Sequence, residues 1–115
     1  MTIRNAQIEY TKLGREDHGI MTFIIGVKFD SCCHVGIGLY ALDGYDKESK
    51  TRVFSAKSME AVSKVLEVVG VDYWEDLPGK YIRIKDQGWG KTVDEVGNLM
   101  EDKWFNLREF FSEEE

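Results

Sequence analysis

The chain reads as an α+β domain: a mainly antiparallel β-sheet of about five strands, one long helix packed across it, and a short C-terminal helix. Three observations predict this. Residues 1–40 carry β-branched and aromatic runs divided by turn residues. Met59, Val62, Val65, Leu66 and Val69 then recur at helical spacing. Near the end, Asn106-Leu107-Arg108-Glu109 has the form of a helix start, with Asn106 as cap.

Taken in order, Ile3, Ala6, Ile8 and Tyr10 lead into Leu13-Gly14, and the polar cluster Arg15-Glu16-Asp17-His18-Gly19 separates them from the apolar run at 20–29. Two apolar runs around a charged segment closing on glycine predict a hairpin. The second run has apolar residues at both parities, as in a central strand covered on both faces. Asp30-Ser31 marks a turn. Residues 34–42 read as a third strand, with Val35, Ile37, Leu39 and Ala41 on one face and His34, Gly36, Gly38, Tyr40 and Leu42 on the other. Gly36 and Gly38 leave a shallow trough, a place where a backbone, a ring or a ligand comes close.

Residues 43–52 are polar and read as a loop. The helix follows, with Ser55 or Ser58 as N-cap, Gly70 as C-cap, and Glu60, Ser63, Lys64 and Glu67 facing water. Asp72-Tyr73-Trp74-Glu75 predicts a single helical turn ending before Pro78. Residues 81–85 alternate, with Ile82 and Ile84 inward and Tyr81, Arg83 and Lys85 outward. Gly88-Trp89-Gly90 reads as a turn around an aromatic ring. In residues 92–100, Val93 and Val96 do not share strand parity, so either Gly97 marks a bulge or the segment is partly helical. Phe110 and Phe111 pin the last helix to the sheet, and residues 113–115 fray. Residues 1–115 form one domain, without repeats or a linker.

Charge is the most uneven property. Residues 1–93 carry 13 acidic and 13 basic side chains, so the net charge of −6 belongs to residues 94–115. There Asp94, Glu95, Glu101, Asp102, Glu109 and the terminal Glu113, Glu114 and Glu115 outnumber Lys103 and Arg108. A field of that sign repels nucleic acid and attracts basic protein surfaces. The dispersed basic residues, with only Arg83 and Lys85 beside Tyr81, make no nucleic-acid stripe. No apolar run is long enough for a membrane span, and the first residues lack a signal-peptide pattern. The expectation is a cytoplasmic protein with reduced cysteines.

No catalytic constellation stands out, and the expectation is a protein that is not an enzyme. Asp17 and His18 form a carboxylate–imidazole pair, but no nucleophile accompanies it, and turn chemistry, with Asp17 capping backbone N–H groups and Gly19 supplying positive φ, is the favoured reading. Cys32, Cys33 and His34 are consecutive, whereas a structural zinc site uses four separated ligands, so no metal is expected. Gly36-Ile37-Gly38 lacks the third glycine of a nucleotide loop and lies within a strand. No cofactor is implied.

Several strings together resemble a family of small phage and prophage proteins that are mostly uncharacterised. They are Ile8-Glu9-Tyr10-Thr11-Lys12-Leu13-Gly14, Glu16-Asp17-His18-Gly19-Ile20-Met21-Thr22, Gly38-Leu39-Tyr40-Ala41-Leu42-Asp43, Val69-Gly70-Val71-Asp72, Trp74-Glu75-Asp76-Leu77-Pro78-Gly79-Lys80 and Lys103-Trp104-Phe105. Leu39 stands where that family's pattern has a second glycine. The resemblance implies a phage origin and an accessory role, such as counter-defence of the anti-CRISPR kind or host takeover, in the cytoplasm of an infected bacterium. It carries no catalytic residues.

Two functional expectations follow. The first is a non-enzymatic binding protein that engages a basic host protein through Asp94, Glu95, Glu101, Asp102 and Glu109. The second is a small-ligand or nucleotide-signal sponge built from Glu16, Asp17, His18, Gly36, Gly38 and Tyr40. A homodimer is compatible with both.

Overall fold

In the computed structural model of the chain, residues 2–16, 19–30, 33–88 and 90–112 are described. The fold is α+β, as the sequence predicts; among the described residues the main sheet has six strands rather than about five, and a second sheet has two. Asp17, His18, Cys32, Trp89 and residues 113–115 lie outside the described residues.

The predicted hairpin is β1 (Thr2–Glu16) and β2 (Ile20–Phe29). Ile8 pairs with Val27 and Tyr10 with Gly26, so Glu9 is an extra residue in the ladder. This bulge reverses the parity of β1. Ala6 and Ile8 point into the core before it, and Thr11 and Leu13 face Ile25 and Phe23 after it. Tyr10 is thereby free to lay its ring over Gly26, where a Cβ would lie 2.0 Å from the ring.

β3 (Cys33–Gly38) pairs antiparallel with β2 and ends earlier than expected. Gly38 has φ 121° and Leu39 φ 67°, so the chain leaves the strand there. The turn overturns the alternation read through residue 42. Leu39 is 60% exposed, whereas Leu42 is buried. Tyr40 leaves the face of Gly36 and stacks on Phe111, with ring centroids 4.9 Å apart.

The segment read as a loop is a second hairpin, β4 (Asp43–Asp46) and β5 (Thr51–Phe54). Its sequence lacks an apolar alternation because little of it is buried. Arg52 holds it instead, reaching the buried Asp43 carboxylate at 3.0 Å.

α1 (Ala56–Val69) ends at Gly70, whose φ of 90° lets its N–H reach the Leu66 carbonyl. Its buried line is Ala61, Val65 and Val68, with Val62, Leu66 and Val69 partly buried beside it. Met59, expected in the core, is 70% exposed because the packed face lies toward Ala61. A single 3-10 turn (Trp74–Asp76) precedes Pro78 as predicted.

β6 (Tyr81–Asp86) pairs with the first half of β1 and buries Ile82 and Ile84. The ambiguous segment is a short strand, β7 (Glu95–Gly97), and β8 (Trp104–Asn106) completes the order β3-β2-β1-β6-β7-β8. Gly97 is not a bulge. It pairs regularly with Arg83 and Trp104 and makes room for the Trp104 ring, 2.6 Å from where a Cβ would stand. α2 (Leu107–Ser112) follows directly, with the Asn106 side chain accepting the Glu109 N–H at 2.9 Å as the cap. Phe110 and Phe111 pack on the core. One face of the sheet is therefore covered by α1, the 3-10 turn and α2.

Candidate functional site

The five predicted partner-binding acids separate into two groups. Asp94 is 7% exposed. It accepts the Tyr40 hydroxyl at 3.0 Å and the Thr92 hydroxyl at 3.1 Å, and the Arg108 guanidinium lies 3.8 Å away. Glu95 is held by Lys85 at 2.8 Å and by the Asn106 amide at 3.0 Å. Both join the C-terminal segment to the body of the fold, so neither offers a free carboxylate to a partner. The sequence places both on a partner-binding surface, and the structure gives each an internal partner. Asp94 is withdrawn from water and therefore needs such partners.

Glu101, Asp102 and Glu109 are exposed. Glu101 is engaged by Lys103 at 3.2 Å, and Asp102 accepts the Trp104 indole N–H at 3.0 Å. Asp102 and Glu109 line a groove of about 520 Å³ between α1 and the β8–α2 segment. Lys64, Glu67 and Val68 form the α1 wall, and Trp104 and Phe110 are part of the opposite one. The sequence marks Glu67 only as a solvent-facing helix residue.

The cations beside this groove are partly neutralised. Lys64 lies 3.9 Å from Glu60, one turn away on the same helix, and Lys103 is drawn to Glu101. The groove's charged lining is Glu67, Asp102 and Glu109 against Lys64 and Lys103, and Phe110 is its aromatic wall, with the Lys57 ammonium 5.0 Å from that ring centroid. Surface pairs of this kind are weak individually, so a partner's cations can compete for them.

The turn that carries Asp102 is held by its neighbours. Asn98 donates to the Val68 carbonyl at the end of α1 and accepts the N–H groups of Met100 and Glu101. Arg83 donates to the carbonyls of Asn98 and Glu101. Arg83 and Lys85 also lie 4.9 and 4.7 Å from the Trp104 ring centroid. These two cations are occupied by the groove's own scaffold.

The candidate ligand residues are not brought together. Glu16 is exposed at the end of β1 opposite Ile20, and Gly38 lies opposite Ile24. Four residues along β2 separate them by about 13 Å. Gly36 is packed by the Ile24 side chain, which would stand 2.7 Å from a Cβ there, and Gly38 by the Phe23 carbonyl. Tyr40 is on the covered side. Burial, with the Asp94 hydrogen bond second, pushes its hydroxyl up to about 12. Asp17 and His18 lie outside the described residues.

Cys33 and His34 diverge to opposite faces of β3, with the His34 Nδ1 2.7 Å from Glu9. No group of three potential metal ligands occurs among the described residues. No helix among them is long and apolar enough to cross a membrane. Compared against protein families, curated proteins and solved structures, the chain matches none of them.

Proposed function

We propose that this is a non-enzymatic binding protein whose groove between α1 and β8–α2 receives a basic segment of a partner protein. The observation that carries the reading is the groove itself. Glu67, Asp102 and Glu109 surround it, while Lys64 and Lys103 lean on Glu60 and Glu101. Val68 and Phe110 give the aliphatic stems of Lys and Arg an apolar surface to lie on. The earlier five-acid surface contracts to Asp102 and Glu109, joined by Glu67 and flanked by Glu101. The phage and prophage resemblance makes a bacterial host protein the expected partner and counter-defence the expected setting.

The test titrates a synthetic Lys/Arg-rich peptide against the full chain at low and high salt. The peptide should bind at low salt, weaken as salt rises, and lose about tenfold in affinity, or roughly 1.4 kcal/mol, with the triple variant Glu67→Gln, Asp102→Asn, Glu109→Gln. Affinity unchanged by that variant would sink the reading. In a host lysate, the partner identified by mass spectrometry should be lost with the same variant.

A further inference from the structure

The six-stranded sheet ends in the outer strands β3 and β8, and the part of β1 beyond its bulge also lacks a backbone neighbour among the described residues. β8 and the distal part of β1 are guarded. β8 is three residues long and runs directly into α2. The distal part of β1 follows a bulge and exposes Lys12, Arg15 and Glu16. Shortness, bulges and charge are devices that discourage edge-to-edge pairing. β3 has none of them. Cys33-His34-Val35-Gly36-Ile37-Gly38 contains no Lys, Arg, Asp, Glu or Pro, and its register with β2 is unbroken.

The ladder fixes which groups this edge presents. The Leu39 N–H donates to the Phe23 carbonyl at 2.8 Å, continuing the β2–β3 register. By antiparallel alternation, the N–H and C=O groups of Cys33, Val35 and Ile37 turn toward β2, and those of His34 and Gly36 turn outward.

We infer that β3 is an interface between two copies of this chain, joined edge to edge about a two-fold axis through Gly36 into one continuous sheet. The strand complements itself in that register. Gly36 meets Gly36 of the partner subunit, so no side chains collide at the axis. Val35 faces Ile37 of the partner subunit on the core side, a β-branched pair of the kind that stabilises neighbouring strands. His34 faces Gly38 of the partner subunit on the open side.

Charge favours the same approach. A chain of net charge −6 repels its copy in general, and β3 offers a strip without ionised carboxylates of its own. Glu9, which reaches this strip, is engaged by His34. A two-fold antiparallel pairing also closes on itself, leaving β3 consumed in both copies. The inference does not depend on the groove reading, since β3 and β8 are opposite edges of the sheet.

The test combines sedimentation with amide hydrogen exchange on the full chain. The wild type should sediment at twice the chain mass, with slow exchange at the outward amides of His34 and Gly36. Gly36→Lys sets two ammonium groups opposite each other at the axis. At this exposed position its Cβ meets only the flexible end of Ile24, so the fold should survive, as circular dichroism will check. The dimer dissociation constant should rise about tenfold or more, with fast exchange at position 36. Gly36→Ala should stay dimeric. If Gly36→Lys does not fold, His34→Pro removes an outward N–H at an edge position that tolerates proline and should give the same dissociation. A wild type that is monomeric at every concentration would overturn the inference. So would a dimer indifferent to these variants, or one whose Gly36 amide exchanges freely. An edge occupied by an extended peptide of another protein in preference to a second copy would overturn it equally.

Discussion

Tyr40 and Asp94 are 54 residues apart in the chain and meet through a 3.0 Å hydrogen bond. The contact ties the turn after β3 to the segment before β7. The Tyr40 ring stacks on Phe111, so one side chain joins three parts of the fold.

This contact should give the protein an alkaline limit. The Tyr40 hydroxyl is raised to about 12, from an ordinary value near 10. A raised folded-state value means stability that is fully present below the unfolded value and lost as pH rises through the folded one. Denaturation curves should therefore weaken between about pH 10 and 12. Tyr40→Phe should remove that part of the loss and cost about 1 kcal/mol at neutral pH. An alkaline limb identical in the variant would refute the assignment.

At the acid end, Arg52 holds the Asp43 carboxyl below its usual range, despite burial, and the Met21 N–H adds to the effect. Asp86 is likewise lowered, by the Gly88 N–H first and Arg4 second. A depressed carboxylate contributes stability above its unfolded value and loses it as pH falls through the folded one. Melting temperature should thus decline below about pH 4. Asp43→Asn should flatten part of that decline while lowering stability at pH 7, and an unchanged acid limb would count against the Asp43–Arg52 pair.

Glycines under aromatic rings should be sensitive. Gly97→Ala places a methyl into the Trp104 ring and Gly26→Ala one into the Tyr10 ring. Each should cost about 1–3 kcal/mol by overpacking. Gly44 has open space around it, so Gly44→Ala should be nearly neutral. Chemical denaturation of the three variants checks this ranking, and Gly44→Ala proving the most harmful would defeat it.

The rotation of α1 toward Ala61 gives a contrast between two apolar residues of one helix. Val65 is fully buried and Met59 largely exposed. Val65→Asp should abolish cooperative folding, because an unpaired charge enters the core. Met59→Asp should change stability by no more than about 0.5 kcal/mol. A soluble, cooperatively melting Val65→Asp protein would show that α1 is not the cover of the sheet.

Much of the fold was legible in order along the chain. Apolar period marked β1, β2, β6 and α1, and Gly70 and Asn106 marked helix ends, because these features are set by neighbours within a few residues. β4, β5 and β8 escaped notice. They are short, and β4–β5 buries too little to leave a pattern. The bulge at Glu9 and the turn at Gly38-Leu39 also hid, since each switches parity in mid-run.

For the site, composition alone located the negative charge in residues 94–115, and that remains true at every level of structure. Which of those carboxylates stay exposed was decided only by folding. Asp94 and Glu95 meet Tyr40, Arg108, Lys85 and Asn106 across the sheet, while Asp102 and Glu109 meet Glu67 at the groove beside α1. A charge count is additive along a chain. Its availability depends on which distant side chains arrive within a few ångströms, and the strand pairing controls that.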